Sequence, residues 1–422
     1  MFNKKTIISI VVLICVALVV GNSFGRLFAK TFPNLTGDPD GFNKAAKQFA
    51  VHGDLGGSIR LAPAFPVFIG LIYRIFGESH NNYVFFQSLL LGILACLVYL
   101  ISLESFQSQE IALLTGFIII IFPICLWYVP RHWVELLFAN LVILMLWSAS
   151  KVLAKGTILN LLVFGIATAL TSLCKSVVML FPLFLAFSVL LMRVFRIKPF
   201  EKLDKGRMVR IFLIPTAAMI VVLSPWTIRN YNVSGKFVPV SSNASVEFFR
   251  GNVMAENNSF LPQNTISEIW GEIMDREQEI FREHGLENPS PIEREEIFNP
   301  IMKDFILKSP FKFALKIVKQ IPAFWINGET TSKSLVFLAM ALPTLLLSII
   351  GYILTRKELI FANVAMIFLA YFNLIYAAVL AFARYSMPVY PPILILAVYA
   401  VFLICSKRNR TIYKKRAVKT PA

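Results

Sequence analysis

Ten stretches of this chain are apolar over lengths that can cross a bilayer, at about residues 6–28, 83–103, 111–129, 133–150, 157–174, 177–192, 209–226, 335–354, 359–380 and 388–405. A hydrocarbon core offers the backbone no water to bond, so spans of this kind must be helices whose N–H and C=O groups pair internally. The pattern predicts an all-α, polytopic membrane protein of about ten transmembrane helices. Composition agrees: 57% of the 422 residues are hydrophobic, 38 are Phe and the mean hydropathy is +0.69, which excludes a soluble multidomain enzyme.

A formal charge of +17 would point to nucleic acid in a soluble protein. Here its distribution points to lipid. With the amino terminus inside, segments placed on the inner side carry 20 of the 41 basic residues but only 5 of the 24 acidic ones. The positive-inside rule then puts both termini in the cytoplasm of an integral plasma or inner membrane protein, with membrane lipids as partners and no nucleic acid. The clusters from Arg193 to Arg210 and from Lys407 to Lys419 read as contacts to anionic lipid. Lys4 and Lys5 precede an apolar core with no small-x-small cleavage site before the Arg26 to Lys30 segment, so an uncleaved anchor is expected. Cys15, Cys96, Cys125 and Cys405 sit inside apolar runs and Cys174 at the end of one, a distribution that implies neither a disulfide framework nor a metal cluster.

Two long outer segments interrupt the spans, residues 29–82 and 227–334. They divide the chain into a transmembrane core over 1–226 that includes the first outer loop, an extracytoplasmic helical segment over 227–334, further transmembrane helices over 335–405, and a basic cytoplasmic tail over 406–422. In the first loop, Phe42, Ala45, Ala46 and Phe49 recur at helical spacing, and a second amphipathic stretch runs from Phe65 to Phe76. Both are expected to lie along the membrane surface. From Arg294 to Trp325 the pattern predicts helices broken by Pro300 and Pro310. Gly53-Asp54-Leu55-Gly56-Gly57 lacks the strand and helix context of a nucleotide loop.

Chemistry-bearing residues gather at the outer ends of the spans. Asp38 and Asp40 lie in Thr36-Gly37-Asp38-Pro39-Asp40-Gly41, read as a polar corner, and Arg60 follows in the same loop. Arg131, His132 and Glu135 precede the fourth span, Lys175 separates the fifth and sixth, Arg229 and Tyr231 follow the seventh, and Arg384 precedes the tenth. Taken singly, each has an ordinary explanation: a snorkelling cation, a hydrogen-bonded histidine, an acid at a helix start. Their shared membrane level is what counts. Sugar transfer from a polyprenyl phosphate would use such a set, because the acceptor proton needs a carboxylate base and the departing phosphate needs cations.

The motifs carry a resemblance. The acid pair with Phe42 to Ala46, Arg60-Leu61-Ala62-Pro63-Ala64-Phe65-Pro66, Ile75-Phe76-Gly77, and His132-Trp133-Val134-Glu135-Leu136-Leu137-Phe138 follow one another in order. Pro225-Trp226-Thr227-Ile228-Arg229-Asn230-Tyr231 comes next, then Gly235, Phe237, Gly251-Asn252 and Arg384-Tyr385-Ser386-Met387-Pro388. Over nearly its whole length the chain resembles the GT-C class of membrane glycosyltransferases, near bacterial relatives of protein O-mannosyltransferases and lipid A aminoarabinose transferases. The resemblance implies an all-helical membrane core with an outward cavity, a first-loop aspartate as base and inversion at the anomeric carbon. Two departures, Phe42 where Tyr is usual and Lys175 where Arg is expected, leave open which aspartate is the base and how the phosphate is held.

The expected roles are therefore Asp38 or Asp40 as general base, with Glu135 orienting the acceptor or helping to hold a divalent ion. Arg229, Arg384 and Lys175 are expected to face phosphate, with Arg60, His132 and Tyr231 as further donor-binding candidates. No cofactor is assigned, although Mg or Mn remains open. The donor would be a polyprenyl-phosphate-linked sugar and the acceptor a lipid, glycan or protein. Two rivals stand beside this reading: an oligosaccharide ligase or polymerase using a diphosphate-linked donor, and a transporter of lipid or glycan without catalysis. The span centres contain almost no charge, which disfavours the transporter.

Overall fold

The computed structural model describes residues 3–28, 38–201, 203–258 and 261–405. The basic tail expected over 406–422, with its lysines from Lys407 to Lys419, lies outside the described residues, as do 29–37 at the start of the first outer loop. No strand occurs among the described residues. In chain order the helices are α1 (Lys4–Phe28), α2 (Asp38–His52), α3 (Ala64–Phe76), α4 (His80–Phe106), α5 (Gln109–Ile121), α6 (Pro123–Trp127), α7 (Glu135–Ala154), α8 (Ile158–Cys174), α9 (Phe181–Val194) and α10 (Lys205–Ser234). There follow α11 (Ala244–Asn257), α12 (Ile266–Glu283), α13 (Pro291–Lys308), α14 (Pro310–Ile326), α15 (Thr331–Thr355), α16 (Ile360–Ala378) and α17 (Tyr390–Cys405), with short 3-10 turns at Ser176–Val178 and Ala383–Val389.

Among the described residues, eight helical segments are long and apolar enough to cross a membrane. Two more of the ten expected spans, α5 and α8, are apolar but shorter, at 13 and 17 residues. The stretch over 111–129 is not one span: α5 ends at Ile121 and Pro123 opens α6. Proline has no N–H to return to the carbonyl four residues back, so the helix restarts there.

Helices α4, α7 and α17 are mostly buried, while α1, α10 and α15 turn most of their surface outward. Lipid tails are as apolar as leucine, so close packing must hold the bundle rather than expulsion from water. The inward stripe of α1 is accordingly small: Thr6, Ser9, Ala17, Gly21 and Gly25 are buried with Leu13, and α1 packs on α4 through them. The isoleucines and valines on its other side, such as Ile7, Val11 and Val19, are exposed.

The expected corner at the acid pair is instead a helix start, because α2 begins at Asp38. Pro39 suits the first turn, where an N–H would be unpaired anyway, and both acids face the positive end of the helix dipole. The second amphipathic stretch forms α3, which packs on α2. In the larger outer segment, Pro310 does open a new helix, but Pro300 does not break α13. Pro300 and Glu296, whose carbonyl loses its partner, are both exposed, so water can bond that carbonyl.

Helices α11 to α13 form a cap with its own small core of Val246, Phe281, Ile297 and Phe298, while α14 packs on α16 and joins the main core through Phe324 and Trp325. Capping boxes at Thr265 with Glu268 and at Ser290 with Glu293 fix the starts of α12 and α13. Gly251 of α11 lies so close to the Val379 carbonyl that any Cβ would collide with it. That approach sets the cap against the segment leading to Arg384.

Candidate active site

At the end of the bundle where α2, α7, α11 and the 383–389 turn converge lies a cavity of about 460 Å³. Its polar lining comes from chain-distant segments: Asp38, Arg60, Glu135, Lys175, Glu247 and Arg384. Its walls include Ile375, Val379, Leu380, Met179 and Leu180, an apolar surface suited to a hydrocarbon tail.

Asp38 is held between two guanidiniums. Arg60 Nη2 donates to Oδ1 at 3.0 Å and Arg384 Nη2 to Oδ2 at 3.4 Å. Arg384 lies over the Trp133 ring at 4.0 Å and over Phe382 and Tyr385 at 4.7 and 5.0 Å, so aromatic faces fix a planar cation that side-chain entropy would otherwise scatter. Tyr385 in turn stacks on Tyr376, with centroids 4.4 Å apart. Deeper in the wall, Lys175 Nζ donates to Glu135 Oε1 at 3.1 Å. Glu135 is 1% exposed and its Oε2 is buried without a hydrogen-bond partner.

Sequence reasoning missed Glu247. It lies in the first turn of α11, accepts from Asn243 at 2.7 Å and pairs with Arg250 at 2.9 Å, and Arg250 is clamped by both oxygens of buried Glu277. Burial raises the Glu247 carboxyl above its ordinary value, and Arg250 opposes the rise. Burial also works against the Arg250 charge, yet Glu277 and Glu247 hold its guanidinium above its ordinary value. The one sequence signal for this triad is the Glu-x-x-Arg spacing on α11, which is common on helices of any function. Trp133 and Tyr385 were visible in the motifs, but nothing there gave them the task of stacking on Arg384.

Four expected site residues do not line the cavity. Asp40 pairs with Lys44 at 2.7 Å on the exposed side of α2, because residues two apart on a helix point roughly 200° apart around its axis. Arg229 donates to the carbonyls of Gly56 and of Ser58, the latter at 2.9 Å, and stacks on Trp226. It fastens the first loop to α10. His132 stacks on Tyr83 with centroids 3.9 Å apart and meets the Tyr73 hydroxyl at 3.2 Å, inside packed protein. Burial, with the nearby charges of His80 and Lys47, pushes its pKa down to about 4. Tyr231 is 56% exposed on α10, and its side chain faces outward.

Among the described residues, no three His, Cys, Asp or Glu side chains come together as a metal site. Glu135 has Lys175 as its ionic partner.

The described residues form a helical bundle with a capped, cation-lined cavity at one end. Residues 61–229, less than half of the chain, match the family model described as dolichyl-phosphate-mannose-protein mannosyltransferase. The structure is similar to that of ArnT from Cupriavidus metallidurans bound to undecaprenyl phosphate, with a TM-score of 0.57 and 13% identity over 99% of this chain and 62% of that one. It is also similar to the archaeal oligosaccharyltransferase AglB from Archaeoglobus fulgidus, in complex with an inhibitory peptide and a dolichol-phosphate: TM-score 0.57, 12% identity, 99% of this chain and 52% of that one. At such identities the likeness is one of fold, and the chain spans less than two thirds of either structure's length. No curated protein matches the chain. The resemblance to GT-C membrane glycosyltransferases drawn from the sequence holds in the matched region and in the fold.

Proposed function

We propose that this chain is a membrane glycosyltransferase that moves a sugar from a polyprenyl-phosphate-linked donor to an acceptor at the outer face of the membrane, with inversion. One observation carries the reading: the Asp38 carboxylate sits between Arg60 and Arg384 in the wall of an apolar-sided cavity that also presents Lys175. Base and phosphate-holding cations are thus within one donor's reach.

Asp38 accepts the proton of the acceptor hydroxyl or amine as its oxygen or nitrogen attacks the anomeric carbon from the side opposite the phosphate. The new glycosidic bond forms as the bond from that carbon to the phosphate oxygen breaks. The polyprenyl phosphate leaves with its charge met by Arg384 and Lys175. Glu135 pairs with Lys175 through Oε1 and so positions that ammonium, while its Oε2, unpartnered in the cavity wall, is left to orient the acceptor. The apolar wall from Ile375 to Leu380 takes the first isoprene units. The opposite end of the bundle carries Lys151 and Arg207, consistent with a cytoplasmic face there and an outward cavity here.

The test is transfer by the purified chain reconstituted in liposomes, with polyprenyl-monophosphate sugars as donors. Asp38→Asn should lower the rate about 100-fold or more. Full transfer by that variant would falsify the base assignment. Likeness to an oligosaccharyltransferase at the same TM-score keeps an oligosaccharide ligase, for which a diphosphate-linked donor is the expectation, as the second choice. Turnover of diphosphate-linked but not monophosphate-linked donors would establish it.

A further inference from the structure

Beside the main cavity lies a second, of about 360 Å³, between the 236–242 segment and the first half of α13. Pro239 and Ser241 line both, so the two are separated by a single stretch of backbone. Ser242 in the second cavity is 8% exposed and its Oγ has no hydrogen-bond partner. Glu295 Oε1 is likewise buried and unpartnered, while its other oxygen accepts from Ser245 Oγ at 2.7 Å. Buried polar atoms are nearly always paired, so two unpaired ones on one cavity mark where a ligand's polar groups belong.

The chemistry of the lining narrows the ligand. A carboxylate only accepts, so the ligand must donate. Lys236, the one cation of the lining, is paired with Glu296 at 2.7 Å, and two carboxylates repel phosphate. Phe237 is 76% exposed and offers a flat apolar face, and Asn299 adds an amide that both donates and accepts. Hydroxyl donors on a ring with apolar C–H faces fit this combination. A phosphate or a bare hydrocarbon does not.

We infer that the cavity formed by Phe237, Ser242, Glu295 and Asn299 is an acceptor subsite that holds a hydroxyl-rich carbohydrate one backbone's width from the transfer cavity. The inference rests on the transferase reading for its acceptor role. It makes the acceptor a glycan or a sugar-bearing molecule.

The experiment uses the full chain in nanodiscs with lipid-free, phosphate-free trisaccharides (maltotriose, chitotriose and mannotriose), observed by saturation-transfer NMR. At least one should bind, with its affinity about tenfold lower in Glu295→Gln and in Phe237→Ala, as expected for a lost bond to a charged group or a lost stacking face. Phe237 is too exposed for its removal to unfold the chain. Asp38→Asn should still bind the sugar. In transfer assays Glu295→Gln should raise KM for the acceptor with kcat nearly unmoved. No binding, or binding equal in both variants, overturns the inference. So does a fluorescent fatty acyl probe lost in Phe237→Ala and displaced by none of the sugars, which would assign the groove to lipid. Transfer by a parent chain that binds no sugar here sinks only the subsite. Sugar binding by a parent chain that transfers nothing sinks the transferase reading and with it the acceptor role.

Discussion

Arg384 Nη2 lies 3.4 Å from Asp38 Oδ2, joining residues 346 positions apart in the chain. The contact is longer than that of Arg60 with the same carboxylate, 3.0 Å, and Arg384 is the less exposed of the two cations. On the proposed reading a donor phosphate would share Arg384, held in place by its aromatic neighbours, while Arg60 keeps the closer contact to the aspartate.

The two acids of α2 should separate cleanly in activity. Asp38→Asn should lower transfer about 100-fold or more, as loss of a general base does. Asp40→Asn breaks only an exposed pair with Lys44 and should stay within about twofold of the parent. Initial rates in proteoliposomes decide it, and a reversed ranking would reject the placement of the base.

Arg384→Ala should reduce donor turnover about 100-fold, since the cation proposed to meet the leaving phosphate is lost. Arg384→Lys should recover only part of this, because an ammonium cannot reproduce the flat stack on Trp133 and Tyr385. Equal rates for Lys and Arg would show that the stack is irrelevant.

Arg229→Ala should act on the loop rather than on the donor. Its guanidinium bonds the Gly56 and Ser58 carbonyls, so hydrogen exchange over residues 53–60 should rise. Donor KM should change less than for Arg384→Ala. A larger donor effect than that of Arg384 would return Arg229 to the phosphate.

Glu135→Ala should strand the half-buried Lys175 charge and destabilise the protein by about 3–5 kcal/mol, the usual range for breaking a buried pair. Replacing both, as Glu135→Gln with Lys175→Met, should lose less stability because no charge is left alone. Thermal unfolding of the single and double variants in one detergent makes the comparison.

His132 links stability to pH. Its folded-state pKa of about 4 lies below the ordinary 6.5, so the unfolded chain takes up the proton first as pH falls. The His132 contribution is complete above pH 6.5 and is lost between there and about pH 4. His132→Gln should flatten the unfolding midpoint over that window, and an unaltered slope would show that other groups govern it.

Much of the fold was legible because a bilayer judges each segment locally. Residues 83–103 must be helical whatever packs beside them, and the cations from Arg193 to Arg210 mark a side without reference to any contact. The break at Pro123 was also written in the sequence, though the apolar run across it concealed the fact. Pro300 misled, because its effect depended on whether the freed carbonyl faced water.

The candidate site divides the same way. That Glu135, Lys175 and Arg384 share one level follows from their places at span ends, whereas Asp38, in a loop, is brought there by packing. Which aspartate faces inward depends on how α2 is turned about its axis, which its packing on α3 sets. Arg229 and Arg384 are alike in sequence, each beside aromatic residues at an outer helix end. One meets loop carbonyls and the other a carboxylate because of how distant helices pack, which also brings Glu247 to the cavity that Asp38 lines. Hydrophobicity acts along a segment and so can be read from it, whereas a cavity is made by side chains whose neighbours are hundreds of residues away.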